Sequence, residues 1–152
     1  MKLEFLVEYN AVLRRPTAQI GKGPSGTRVI VDVAGGSFEG PRLKGKLLPS
    51  GGDWLVRDER GVTRLDVRGT LATDDGANIY VQYRGIARPE DSSGQQAGER
   101  RSTEYGEQYF MTAPRFETGD ERYAWLNELI CVGEGRLTED GVAYRVYAVM
   151  ND

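Results

Sequence analysis

Apolar side chains recur at every second position through most of this chain. Leu3, Phe5, Val7, Tyr9, Ala11 and Leu13 alternate with other residues, and Val29, Val31 and Val33 repeat the pattern in the next apolar segment. A period of two belongs to an extended strand with one buried face, so the pattern predicts short strands joined by tight turns. Further strands are predicted at Leu43 to Leu48, Trp54 to Arg57, Thr63 to Thr73, Ala77 to Gly85, Tyr105 to Met111, Leu129 to Thr138 and Val142 to Val149. Twenty glycines spread along the 152 residues suit the turns. The expectation is an all-β chain, one domain over residues 1–152, without internal repeats.

Two stretches break the alternation. Arg88 to Glu104, RPEDSSGQQAGERRSTE, has no large apolar residue. Burial cannot offset the entropy of ordering such a segment, and a mobile loop between strands is predicted. In GDERYAWLNEL, Gly119 to Leu129, Asp120 can cap a turn or two of helix that aligns Tyr123 and Leu126.

The hairpin LDVRGTLATDDGANIYVQYRG has two conceivable registers. A two-residue Asp75-Gly76 turn would set Leu71 opposite Tyr80 and Val67 opposite Arg84, mixing polar and apolar side chains on both faces. A three-residue Asp74-Asp75-Gly76 loop, with Gly76 left-handed, pairs Leu71 with Ile79, Gly69 with Val81 and Val67 with Tyr83. One face then becomes almost wholly apolar, and the other pairs Asp66 with Arg84, Arg68 with Gln82 and Thr70 with Tyr80. That polar face is either solvated, as is common for antiparallel sheets, or turned into a barrel lumen to orient a ligand.

Charge and composition narrow the chemistry. The 20 Lys and Arg residues are scattered among 23 Asp and Glu, for a net charge of −3, which argues against nucleic acid as a partner. Glu4 and Glu8 interrupt the apolar start, so neither a signal peptide core nor a membrane span is expected there. The lone Cys131 forbids an intrachain disulfide and agrees with a cytoplasmic location. Histidine is absent, which removes Ser-His-Asp and Cys-His catalysis and imidazole-based zinc sites. Acid/base work must fall to Asp, Glu, Tyr or Lys. No spacing resembles a calcium loop, and no metal or cofactor is expected. GKGPSG, Gly21 to Gly26, has the spacing of a dinucleotide fingerprint, but a period-two strand follows it instead of a helix. It is expected to be a turn at a barrel rim, from which Arg28 or Asp32 could reach a ligand.

GGSFEGPRLKGKLLPSGGDW, LDVRGTL, DDGANIYVQYRG and YFMTAPRFETGDERYAWLNELICVGEG, in this order, resemble the DUF3237 (UPF0311) family over nearly the whole chain. Gly51-Gly52-Asp53-Trp54, Pro114 to Thr118 and Tyr123 to Asn127 are the most specific pieces. The resemblance implies a single antiparallel β-barrel, lipocalin-like or allene-oxide-cyclase-like, with a cavity open at one end, but no activity. Met111 stands where the family is expected to carry Arg. If that position faces the cavity, an anion-binding group has been exchanged for an adaptable apolar one, and a carboxylate ligand suits this member less well.

Several residues are candidates for chemistry, each with a plain structural alternative. Asp53 follows two glycines and precedes Trp54, offering a carboxylate beside a flat ring for proton transfer and stacking; alternatively it bonds its own turn while Trp54 fills core. Glu117, next to Phe116, could be an acid with a raised pKa at a barrel mouth, or a capping residue. Trp125 and Asn127 share a face only if the backbone is extended; in a helix they separate and Trp125 becomes core. A polar lumen, as the resemblance implies, would make Asp66, Arg68 and Tyr80 internal, with Tyr80 donating a proton and Arg68 stabilising an enolate or carboxylate. Glu39 is a weaker candidate of the same kind. Cys131, lacking a His partner, reads as a small buried hydrophobe rather than a nucleophile.

The resulting expectation is a cytoplasmic barrel that binds a small carbonyl-bearing or aromatic molecule and catalyses a cofactor-independent isomerisation, cyclisation or elimination. Asp53, Glu117 and Tyr80 are the catalytic candidates. Glu39, Trp54, Asp66, Arg68, Met111, Phe116, Trp125 and Asn127 are the candidates for substrate contact. A non-catalytic carrier or sensor barrel is the competing expectation, and a two-fold homodimer is the oligomer that frequency favours.

Overall fold

The computed structural model describes residues 1–89 and 102–152, so the loop expected over Arg88 to Glu104 falls, for residues 90–101, outside the described residues. Among the described residues nine strands are formed: β1 (Lys2–Leu13), β2 (Ala18–Gly23), β3 (Gly26–Glu39), β4 (Lys44–Arg57), β5 (Thr63–Thr73), β6 (Asn78–Ala87), β7 (Phe110–Glu117), β8 (Cys131–Leu137) and β9 (Gly141–Met150). They pair in the order β1-β9-β8-β7-β6-β5-β4-β3, all antiparallel, and β1 pairs with β3 to close an 8-stranded barrel. β2 pairs with the first half of β3, Gly26 to Ile30, while β1 takes the second half. Closure leaves these eight strands without the unpaired edges of an open sheet.

The β5–β6 hairpin has the three-residue loop and the register that the apolar pattern requires, Leu71↔Ile79, Gly69↔Val81 and Val67↔Tyr83. Gly76 has φ +96°, the conformation that tight loop needs. Because Leu71, Ile79, Val81 and Tyr83 are all nearly inaccessible, the apolar face is the inner one and the polar face lies outside. GKGPSG forms the β2–β3 hairpin, with Gly23 paired to Gly26 around Pro24-Ser25.

Other expectations are corrected. The register shifts between Phe5 and Val7 where β1 meets β9, and this bulge reverses which side chains point inward. Val7, Tyr9 and Ala11 are buried, but Leu3 and Phe5 are 58% and 45% exposed. The segments Leu43 to Leu48 and Trp54 to Arg57 are parts of one strand, β4, in which the four-residue step from Leu47 to Gly51 lies opposite the two-residue step from Leu71 to Gly69. The strand expected at Tyr105 to Met111 instead starts at Phe110 and continues through Pro114. Proline is tolerated because β8 pairs with β7 only at Met111 and Thr112, so no ladder partner awaits its missing N–H. β2 was not anticipated, since its mostly exposed residues carry no alternation.

Among the described residues, one end of the barrel is covered and the other is open. A 3₁₀ helix, Glu121–Glu128, capped by Asp120 accepting from the Arg122 N–H, buries Tyr123 and Leu126 over the closed end. Tyr123 donates its hydroxyl to Asp75 Oδ2 (2.8 Å), and Arg122 forks onto Asp120 (3.0 and 2.9 Å) while reaching the Asp75 carbonyl (2.9 Å). These bonds tie the helix to the β5–β6 loop. The open end carries the β2–β3, β4–β5 and β8–β9 turns.

Candidate functional site

From the open end a cavity of about 330 Å³ descends into the lumen. Its walls are largely aliphatic, with Val31, Val33, Leu55, Leu65, Val67 and Val142 among them, and Tyr83, Tyr144 and Phe110 supply rings. Tyr144 packs against Tyr9 (ring centroids 5.0 Å), Tyr83 (5.3 Å) and Phe110 (5.4 Å). Two larger grooves, about 550 and 930 Å³, lie on the outer wall and are more open to solvent. The lumen is the better candidate because it surrounds a ligand with low-dielectric walls and holds an ionisable group.

That group is Asp53. Gly51, at φ +86°, and Gly52 let β4 press against its neighbours: a Cβ on Gly51 would stand 2.1 Å from the Arg68 carbonyl oxygen, and one on Gly52 2.6 Å from that of Val31. The strand emerges from this kink with Asp53, Leu55 and Arg57 on the lumen wall. One Asp53 oxygen accepts the backbone N–H of Asp66 (3.0 Å). Burial pushes the carboxyl up to about 6; the Asp66 N–H opposes that and the Asp66 charge adds slightly to it. The phenols of Tyr83 and Tyr144 are held well above their ordinary pKa, first by burial and with the Asp53 charge among the smaller causes. At neutral pH both phenols keep their protons, and they line the same cavity as a carboxyl poised to exchange one. Such a site can take a proton from carbon and stabilise the oxygen anion that results.

The other sequence candidates do not meet Asp53 in the lumen. Trp54 (37% exposed), Tyr80 and Met111 point outward, and Tyr80 donates to Gln82 Oε1 at 3.5 Å. Asp66 and Arg68 are outside too, 3.7 Å apart, and exposed Glu117 faces Tyr80 across β6–β7. The strand alternation that buries Asp53, Val67, Val81 and Tyr83 puts each of these on the opposite side. Met111 is outside, so the identity of that position does not bear on the lumen. Glu39 lies exposed at the far end, 3.8 Å from Lys44 Nζ. Phe116 is buried in the core. Trp125 is stacked under Arg42 (3.6 Å to the ring centroid), and the Asn127 amide brackets Thr118, accepting from its N–H (2.8 Å) and donating to its carbonyl (2.9 Å). Arg28 Nη1 donates to the Trp54 carbonyl (2.6 Å) outside the barrel, and Asp32 is exposed. Among the described residues no three carboxylates or thiols cluster closely enough to hold a metal ion, and no helix is long and apolar enough to cross a membrane.

Tyr83, Tyr144 and Arg57 were not among the sequence candidates. Each tyrosine sits at an apolar position of its strand and reads as core; the signal that could have found them is the phenol itself, a polar group on a face meant to be buried.

A family model described as a protein of unknown function, DUF3237, matches residues 1–149. A UPF0311 protein of Rhodopseudomonas palustris strain TIE-1 is 32% identical over 140 residues, covering 88% of this chain and 92% of the relative. A β-barrel-like protein of Acinetobacter baumannii AYE superposes with a TM-score of 0.85 at 32% identity, over 98% of this chain and 96% of its own. An enzyme from Penicillium herquei shares the fold, with a TM-score of 0.74 at 22% identity over 98% of this chain and 94% of its own.

Proposed function

We propose that this chain, which belongs to the DUF3237 family, is a cofactor-independent acid/base enzyme that moves a proton on a small carbonyl compound held in the barrel lumen. The observation that carries the reading is Asp53, a carboxyl held near 6 within a mainly apolar cavity that two protonated tyrosines also line. In its charged form Asp53 takes a proton from the carbon beside the carbonyl; Tyr83 and Tyr144 donate hydrogen bonds to the developing enolate oxygen, and the protonated carboxyl returns the proton elsewhere on the molecule. The net result is an isomerisation, or an elimination where the enolate carries a leaving group. A fold shared with a fungal enzyme is compatible with this reading but does not carry it.

The test is exchange of carbon-bound hydrogen for deuterium in D₂O, followed by NMR over a panel of aryl and alkyl ketones. The expected result is enzyme-dependent exchange that rises with pH through an apparent pKa near 6 and is lost in Asp53→Asn, with smaller losses in Tyr83→Phe and Tyr144→Phe. Exchange no faster than buffer, or exchange that survives Asp53→Asn, rejects the reading. The largely aliphatic wall favours a carrier as the second reading, and ligand binding without any exchange would support it.

A further inference from the structure

We infer that the molecule bound in the lumen is an organic anion, its acid group held at the mouth by Arg57 while its apolar body and carbonyl point inward to Asp53. The carbonyl end rests on the reading of Asp53 given above; the anion's place follows from the mouth alone. Asp53 and Arg57 are four residues apart on the same face of β4, about 13 Å along an extended strand. Between them the lumen is lined by Leu55, Leu65 and Val142. The site thus has a cation at the mouth, an apolar middle and an acid/base group at depth. A ligand that matches it has an acid group separated from its carbonyl by an apolar, ring-sized spacer.

The charges lining the cavity point the same way. Arg57 contributes a guanidinium at the mouth, and Asp53 is the only carboxylate among the described lining residues. Arg57 makes one long hydrogen bond, Nε to Thr63 Oγ1 at 3.4 Å, and no ion pair among the described residues. The neighbouring carboxylate, Asp58, is engaged elsewhere: it accepts the N–H groups of Arg60 and Val62 and faces Arg64 at 3.6 Å. The Arg57 fork is therefore available to a ligand's acid group, which it can hold through two parallel hydrogen bonds.

Two dyes that cannot undergo the reaction test this directly. 8-Anilinonaphthalene-1-sulfonate and N-phenyl-1-naphthylamine share an aromatic body and differ by the sulfonate. The wild type is expected to bind the sulfonate about tenfold more tightly, the size of one charge-assisted contact. Arg57→Gln should abolish that preference by weakening the sulfonate alone, Asp53→Asn should leave it intact, and Leu55→Trp or Val142→Trp should exclude both dyes by filling the lumen. Equal affinities in the wild type, an unchanged ratio in Arg57→Gln, or dye binding that survives both tryptophan variants would overturn the inference. Because the dyes do not react, these outcomes stand apart from the exchange assay, which tests Asp53.

Discussion

Asp53→Asn removes a charge that the folded lumen holds at a disadvantage, and the pH dependence of stability reads this directly. Raising the carboxyl from 3.8 to about 6 makes its ionised form costlier in the folded than in the unfolded chain by up to about 3 kcal/mol. Well below pH 3.8 both states keep the proton and the residue costs nothing. From pH 4 to 6 the unfolded chain releases its proton while the fold retains it, so stability falls as pH rises; above about 6 the whole penalty applies. Asparagine has no such charge, and its Oδ1 can still accept the Asp66 N–H. The variant should therefore lie within about 1 kcal/mol of the wild type at pH 4 and exceed it by up to about 3 kcal/mol at pH 8, about 6–12 °C in Tm for a chain of this size. Urea unfolding followed by tryptophan fluorescence from pH 4 to 8 measures the difference, and titrations common to both proteins cancel. A difference that does not change with pH, or a wild type that gains on the variant as pH rises, would refute a carboxyl protonated by burial and remove the basis of the proposed chemistry. A stabilising substitution that abolishes exchange is the signature of a residue kept for function against stability.

Three further outcomes follow from packing. Leu126→Ala, on the buried side of the 3₁₀ helix at a position with no exposed surface, should cost about 2–5 kcal/mol in urea unfolding; a loss below 1 kcal/mol would mean that the helix does not pack as a lid. Gly51→Ala should cost about 2–3 kcal/mol, since φ +86° and the Arg68 carbonyl leave no room for a Cβ, and an undiminished Tm would contradict the kink that aims Asp53. Burial pushes the Cys131 thiol up to about 11, so Ellman's reagent should label it slowly at pH 8 in the folded protein and rapidly in urea; fast labelling of the native protein would show the β7–β8 seam to be open.

Local pattern was sufficient for features whose cause is local. The period-two alternation specified strands, the apolar matches of Leu71 with Ile79 and Val67 with Tyr83 selected the β5–β6 register, and Asp120 marked the helix start. GKGPSG could be read as a turn because a strand follows it. Alternation defines two faces, but it does not say which face is enclosed or where a bulge exchanges them. Closure of β1 onto β3 and the shift between Phe5 and Val7 settled that, and both depend on partners more than a hundred residues away for β9 or about twenty-five for β3. The consequences fall mainly on the site. Tyr80, Asp66 and Arg68 looked chemically apt but are turned to the outside, while Tyr83 and Tyr144 looked like core and face the lumen. Asp53 was legible because its two glycines announce a kink in the chain itself. Its neighbours were not, because a site assembled from β4, β6 and β9 exists only once the barrel has closed.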